Sequence, residues 1–192
     1  RCNKLGIHQK IFKDIRTKSI MDIVIPYHPK DGGTINICLS SIRQYVKGYE
    51  NIYIISHKNH NFEGTIWKNL DNFPFTKDDI LKFHKPHTKN GWYLQQLIKL
   101  YSVICIPDIT DNIAIIDSDV IFCNNVDLLD SKTNIPNLNT SYDIIKNRAQ
   151  WHKPYFEHMK KLHPSLRRIY NNITGITPCF IFKKRIITDL FK

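Results

Sequence analysis

Acidic residues are scarce in this sequence. Its 192 residues include 17 Asp and Glu against 28 Lys and Arg, which gives a formal net charge of +11. A surplus of this size suits an anionic partner, such as nucleic acid, an acidic membrane surface or a phosphorylated small molecule. The sequence is also rich in isoleucine, asparagine and lysine, whose codons are AT-rich. An AT-rich genome, such as that of a large DNA virus, is therefore an alternative source of the charge.

Long apolar runs are absent as well. No run approaches the roughly 18 residues that a membrane-spanning helix needs. Residues 1–20 contain neither the apolar stretch nor the cleavage site of a secretory signal. We therefore expect no transmembrane segment and a cytoplasmic protein. The chain opens with Arg1, and Met21 is a plausible natural start, so residues 1–20 are interpreted as an N-terminal extension.

Paired cysteine motifs are missing too. The five cysteines are an odd number, no two have C-x-x-C spacing, and most have apolar neighbours. We predict buried free thiols in a reducing compartment. A zinc site is disfavoured, because His84 and His87 have no cysteine partner at metal-binding spacing. The cysteines are Cys2, Cys38, Cys105, Cys123 and Cys179.

What the sequence does contain is the pattern of one globular domain. Hydrophobic residues make up 42% and charged residues 23%, as in ordinary soluble domains. An apolar run at 21–27 predicts a strand, and a turn-rich loop follows at 28–33. Thr34 can cap a helix that Gly48 ends, and 51–56 predicts a second strand. This strand–helix–strand order is typical of an α/β sheet.

The second half continues the same alternation. Short strand or helix pieces are expected near 64–70 and 77–83, and apolar periodicity from Gly91 predicts a long helix. A buried strand follows at 112–116. A helix is expected over 151–162 and, after a break at Pro164, a second helical piece to about Tyr170; a last strand at 178–182 leads into a final helix. We predict an α/β fold with a mostly parallel sheet and helices on both faces.

The most informative motif is Asp117-Ser118-Asp119, which follows the apolar strand 112–116 and precedes the apolar run 120–122. At a strand's carboxyl end, two such carboxylates can face the crevice where open α/β sheets bind ligands. Their hard oxygens suit Mg²⁺ or Mn²⁺, which binds through one or two carboxylates and substrate phosphates. A solvated turn is the alternative, but the flanking apolar runs disfavour it.

These segments resemble glycosyltransferases of the GT-A fold, which carry a D-x-D motif. The resemblance covers about residues 21–190, and its specific part is the block 91–122, which reads GWYLQQLIKLYS, a loop, and IAIIDSDVIF. The opening MDIVIPYH at 21–28 resembles the first strand and nucleotide-contacting loop of that family. The resemblance implies a GT-A-like, Rossmann-like domain over 21–192.

The resemblance also implies roles for individual residues. The D-x-D carboxylates would bind a divalent metal, Mn²⁺ or Mg²⁺, with Asp119 as a ligand and Asp117 sharing the metal or contacting the ribose. The donor would be a nucleotide sugar, and the acceptor an unidentified glycan, protein or small molecule. The expected donor-binding residues are Pro26, Tyr27, His28, Trp92, Gln96, Lys99, Asp117 and Ser118.

Several of these residues have ordinary alternatives. Trp92 would equally suit a core position, and Lys99 would equally suit a solvated helix face. Lys30, Gly32 and Gly33 can approach phosphate or simply form a turn. The basic segment 147–164 could border the acceptor or be a surface helix.

The sequence identifies no catalytic base. A third metal ligand, usual well beyond the D-x-D, is also not found before Lys192. We therefore expect a domain incomplete at its C-terminus, which binds nucleotide but transfers little sugar.

Two other functions fit parts of the pattern. A haloacid-dehalogenase-type phosphohydrolase also has an apolar strand followed by D-x-D, although its motif normally opens the domain. A basic nucleic-acid-binding domain would need clustered positive charge. Here the basic residues spread from Lys4 to Lys192, so nucleic acid is not the expected partner.

Overall fold

A computed structural model describes residues 20–83, 89–130, 132–137, 141–142, 154–161, 164–167, 173–174 and 177–192. The N-terminal extension expected before Met21 lies almost wholly outside these residues. None of the helices in the described ranges is both long and apolar enough to cross a membrane.

The described elements include both strands and helices, interspersed along the chain. The strands are β1 (Met21–Pro26), β2 (Tyr49–Ser56), β3 (Ile66–Asn69), β4 (Asn112–Ile116), β5 (Ser141–Tyr142), β6 (Ile173–Thr174) and β7 (Cys179–Lys183). The helices are α1 (Ile35–Tyr45), α2 (Lys77–Phe83), α3 (Asn90–Cys105) and α4 (Lys184–Leu190). Short 3-10 turns occur at Pro29–Asp31 and Leu70–Asn72, and residues 154–161 are helical.

Five strands form one sheet in the order β3-β2-β1-β4-β7. β1 pairs in parallel with β2 and β4, and β2 pairs in parallel with β3. β7 is the one antiparallel member, paired with β4. β5 and β6 form a separate two-stranded ribbon. The predicted mostly parallel α/β sheet is confirmed.

Both faces of this sheet are covered by helices. Every residue of β1 and β4 is buried, which explains their continuous apolar sequences. On one face, α1 contributes Ile35, Cys38, Leu39 and Ile42 to a core with Ile23 and Ile25. On the other face, Ile98 and Val103 of α3 and Ile187 of α4 pack with Val24 and Ile115.

The amino-terminal edge of the sheet is tied together by a buried carboxylate. Asp22 Oδ1 accepts hydrogen bonds from the amide and side-chain nitrogens of Asn51, at 3.1 and 3.0 Å. Asp22 Oδ2 accepts from the Thr110 amide at 2.8 Å. Asn51 lies near the start of β2, and Thr110 lies just before β4. Asp22 therefore links both neighbours of β1 at the edge of the sheet away from the D-x-D motif.

The structure refines the sequence predictions. The strand at 112–116 is confirmed, the piece near 64–70 is a strand, and the piece at 77–83 is a helix. The expected helix at 151–162 is described only over 154–161. The second helical piece expected after Pro164 was wrong for 165–167: residues 164 and 165 form a turn, and 166 and 167 belong to neither a helix nor a strand.

Candidate functional site

The D-x-D motif lies where the order of the strands reverses. The chain runs outward from β1 to β2 and β3, and then returns to β4 on the other side of β1. In open α/β sheets, the crevice between two such strands at their carboxyl ends is the usual ligand site. Asp117 follows β4 directly, and Tyr27 follows β1 directly.

The motif forms a tight turn. The Asp117 amide donates to the Pro178 carbonyl at 2.9 Å, and the Val120 amide donates to the Asp117 carbonyl at 3.1 Å. Ser118 is buried at 2% exposure, whereas Asp119 is exposed. Asp119 forms no hydrogen bond or ion pair with any described residue. The turn therefore buries its centre and presents the Asp119 carboxylate outward.

Helix α1 holds this turn through three side chains. Thr34 Oγ1 donates to the carbonyls of Asp31 and Ser118, at 3.0 and 3.4 Å. Thr34 was expected to cap α1, but its side chain makes these contacts instead of a capping bond. The Cys38 thiol approaches the Asp117 carbonyl at 3.8 Å. Ser41 Oγ accepts from the Phe122 amide at 3.1 Å.

Asp31 is a site residue that the sequence analysis missed. Ser118 Oγ donates to Asp31 Oδ2 at 2.8 Å, which links the loop after β1 to the centre of the D-x-D turn. The sequence signal for Asp31 is the loop HPKDGG, where this carboxylate lies between Lys30 and the two glycines. A Cβ on Gly33 would meet no atom within 4 Å, so this loop faces open space at that residue.

Lys99 reaches the motif from α3. Its Nζ lies 2.6 Å from Asp117 Oδ1, and the two side chains are 5% and 22% exposed. The contact is an ion pair by distance; Oδ1 is buried and has no hydrogen bond of good geometry among the described residues. Lys99 Nζ also lies 5.5 Å from the centre of the Phe180 ring. The alternative prediction, that Lys99 lies on a solvated helix face, is therefore wrong.

Burial is the largest influence on the pKa values of Asp117 and Cys38. It raises the pKa of the Asp117 carboxyl, an effect that Lys99 opposes and that the charges of Asp119 and Asp31 reinforce. Burial, with a contribution from Asp119 and Asp117, raises the pKa of the Cys38 thiol to about 12. Cys38 is therefore a neutral packing residue rather than a nucleophile.

The loop after β1 presents aromatic and imidazole groups. Pro26 is the last, buried residue of β1, and the Tyr27 amide donates to the Ile55 carbonyl at 2.9 Å. The ring of Tyr27 meets the rings of His60 and Phe62 edge-on, at 5.0 and 5.1 Å. Exposed His28 accepts a hydrogen bond from the Lys30 amide through Nδ1. The sequence analysis missed His60 and Phe62.

Helix α3 carries three of the expected donor-binding residues, Trp92, Gln96 and Lys99. Because α3 ends just before β4 begins at the amino edge, its N-terminus extends past the carboxyl edge. Trp92 is exposed there and meets the ring of Tyr155 at 6.3 Å, which brings the helical segment 154–161 alongside. Gln96 is half-buried, one turn before Lys99. The alternative that Trp92 belongs to the core is therefore wrong. Of the basic segment 147–164, the residues Arg148, Trp151 and His152 lie outside the described residues.

The free cysteines follow the prediction in part. Cys38, Cys105, Cys123 and Cys179 are free thiols in the described residues. Cys38 and Cys179 are buried, but Cys123 is exposed because the segment after the D-x-D turn runs along the surface. The prediction that Cys123 is buried was therefore wrong.

The model of a family of unknown function, DUF6492, matches residues 18–192. The chain belongs to this family. A search of curated proteins gives no significant match for the DUF6492 chain. Among solved structures it is similar to the crystal structure of mouse xyloside xylosyltransferase 1 in its apo form. That similarity has 8% sequence identity and a TM-score of 0.44, and covers 90% of this chain and 72% of the mouse chain.

The DUF6492 chain places two carboxylates, Asp117 and Asp119, in one turn. The charges of Asp119 and Asp31 act on the Asp117 carboxyl, and Lys99 pairs with Asp117. Hard oxygens in excess of positive charge favour Mg²⁺ or Mn²⁺. In the described ranges, no group of three or more His, Cys, Asp or Glu side chains is placed to hold a metal ion. Such a cation would need further oxygens from substrate and water.

Proposed function

We propose that this chain is a glycosyltransferase that takes a sugar from a nucleotide-sugar donor, with Mn²⁺ or Mg²⁺ held at the D-x-D motif. One observation carries the proposal. A carboxylate pair, Asp117 and Asp119, lies at the carboxyl end of a central strand where the sheet order reverses, beside the loop that follows β1. This is where α/β sheets bind nucleotides.

Each part of the site has a task in this proposal. Asp119, exposed and unpaired among described residues, is the main metal ligand, and Asp117 shares the ion or contacts the ribose. Pro26, Tyr27 and His28 border the nucleoside, while Trp92 and Gln96 line the approach along α3. The metal would act as a Lewis acid that neutralises the diphosphate leaving group. Ser118 contributes by fixing the turn through Asp31, so that both carboxylates are held before the ligand arrives.

The test is a titration of Mn²⁺ and UDP into the wild type and Asp119→Asn by calorimetry. We expect the variant to bind Mn²⁺ and UDP at least tenfold more weakly, since it lacks a direct ligand. Asp108→Asn is the matched control: it removes the same charge in the loop before β4, at the opposite edge, and asparagine tolerates its φ of 58°. Equal affinities of the wild type and Asp119→Asn would contradict the proposal.

A panel of ligands separates this function from the alternatives. UDP- and GDP-sugars with Mn²⁺ should raise the melting temperature, whereas a DNA oligonucleotide should not. A phosphohydrolase would instead hydrolyse p-nitrophenyl phosphate, and a nucleic-acid-binding domain would respond to the oligonucleotide alone. Either result would replace the glycosyltransferase proposal.

A further inference from the structure

Lys99 occupies an unusual place for a lysine. It is 4% exposed, on the face of α3 that packs against the sheet. Its ammonium meets one carboxylate, Asp117 Oδ1 at 2.6 Å, and lies 5.5 Å from the centre of the Phe180 ring. A buried ammonium strongly needs an anionic partner, because its loss of hydration is otherwise uncompensated. The pair therefore fixes a positive charge beside the D-x-D motif.

This fixed charge has opposite effects on two ligands. A divalent cation near Asp117 is repelled by Lys99 and must compete with it for the same carboxylate. A diphosphate in the same crevice is attracted to Lys99 and offers it a new anionic partner. Metal and diphosphate binding together would thus exchange partners: Asp117 passes from Lys99 to the metal, and Lys99 passes from Asp117 to a phosphate oxygen.

We propose that Lys99 is an internal cation that occupies Asp117 until the donor binds, so that it opposes metal binding to the free protein and favours diphosphate binding. This inference rests on the proposed function, since it takes the D-x-D motif as the metal site. It makes Lys99 a residue that sets the order of binding: the free protein holds the metal weakly, and the nucleotide diphosphate promotes metal binding. A merely structural lysine would not produce that coupling.

The test compares the wild type with Lys99→Met in two separate titrations. Mn²⁺ alone, followed by electron paramagnetic resonance, should bind Lys99→Met about tenfold more tightly, because a competing unit charge is gone. UDP in EDTA, followed by calorimetry, should bind Lys99→Met about tenfold more weakly, because a phosphate contact is lost. Uridine should bind both proteins equally. The opposite signs are the diagnostic result, since general damage to the site would weaken both ligands.

Three further variants keep the test decisive. Lys99→Arg retains the charge and should keep the wild-type pattern. Lys47→Met removes the same charge from an exposed position between α1 and β2, at the opposite edge of the sheet, and should change neither affinity. If Lys99→Met fails to fold, the pair Lys99→Met and Asp117→Asn should fold and still lose UDP affinity in EDTA.

The outcomes separate the two proposals. Mn²⁺ affinity that is unchanged or weaker in folded Lys99→Met would overturn the role of Lys99 while leaving the metal site intact. Mn²⁺ that binds no better to the wild type than to Asp119→Asn would overturn the proposed function, and this inference with it.

Discussion

At the scale of single residues, the ion pair of Lys99 with Asp117 dominates the site. Lys99 sits within an apolar helix sequence, LQQLIKLY, whose periodicity alone suggests a solvated position. The fold instead places its ammonium 2.6 Å from a carboxylate at a strand's end. Two such charges stabilise each other only while both are present, since removing one leaves the other desolvated and unpaired.

We therefore predict that Lys99→Met lowers the free energy of unfolding by about 2–4 kcal/mol. This is below the cost of breaking a fully buried pair, because the Asp117 side chain keeps 22% exposure. Lys99→Met combined with Asp117→Asn should recover more than half of the loss. Urea unfolding followed by tryptophan fluorescence measures both. A double variant no more stable than the single one would show that Asp117 is not what Lys99 stabilises.

The cysteines offer a second prediction at this scale. Burial and nearby carboxylates raise the pKa of the Cys38 thiol to about 12, so thiolate is negligible at pH 8. Exposed Cys123 should therefore react quickly with iodoacetamide, while Cys38 should react only as the protein unfolds. Mass spectrometry of the labelled peptides over time gives both rates. Rapid labelling of Cys38 in the native protein would contradict its burial behind the D-x-D turn.

At the scale of elements, α1 supports the segment that carries the motif. Ser41 donates to the Cys38 carbonyl at 2.8 Å and accepts from the Phe122 amide at 3.1 Å. Thr34 and Cys38 contact the carbonyls of Ser118 and Asp117 from the same helix. Through these contacts the helix following β1 positions the turn following β4.

We expect Ser41→Ala to cost about 1–2 kcal/mol of stability, because the partly buried Phe122 amide loses its acceptor. Hydrogen exchange should quicken at residues 120–123 and stay unchanged in β2. Ser40→Ala, an exposed neighbour on the same helix, is the control. Faster exchange throughout the protein would mean that Ser41 supports overall stability rather than this segment.

Elements and their pairings differ in how far the sequence predicts them. β1 and β4 are recognisable because burial on both faces requires unbroken apolar runs, as in IAII before Asp117. The pairings that build the site are not recognisable. Ser118 and Asp31 are 87 residues apart, and no local periodicity encodes their contact. The antiparallel direction of β7 is equally hidden, since an apolar run does not specify a direction.

At the scale of the whole molecule, two cores share one sheet, and the candidate site lies at its carboxyl edge. Asp22 ties the opposite edge by three hydrogen bonds. The net charge of +11 attracts anionic ligands in general but selects none of them. Under the proposed function, selection among them would fall to the D-x-D crevice.

A ligand that binds only the native state should stabilise the whole domain. UDP with Mn²⁺ at 100 times its dissociation constant contributes about 2.7 kcal/mol. For a domain of this size that corresponds to a rise in melting temperature of about 5–11 °C. Differential scanning fluorimetry measures the rise, and adenosine with Mn²⁺ is the control. A similar rise with adenosine would show that the crevice does not recognise a diphosphate.

The contacts of the D-x-D turn also have a consequence for the kinetics of folding. The bonds that join this turn to Thr34, Cys38 and Asp31 span 84, 79 and 87 residues. Closing loops of this length is slow relative to forming α1 or α3, since local contacts form first. A refolding chain should therefore regain helical circular dichroism before it regains any nucleotide affinity. Stopped-flow mixing with a fluorescent UDP analogue measures how fast the nucleotide affinity returns. That rate would report when β1 pairs with β4 during refolding.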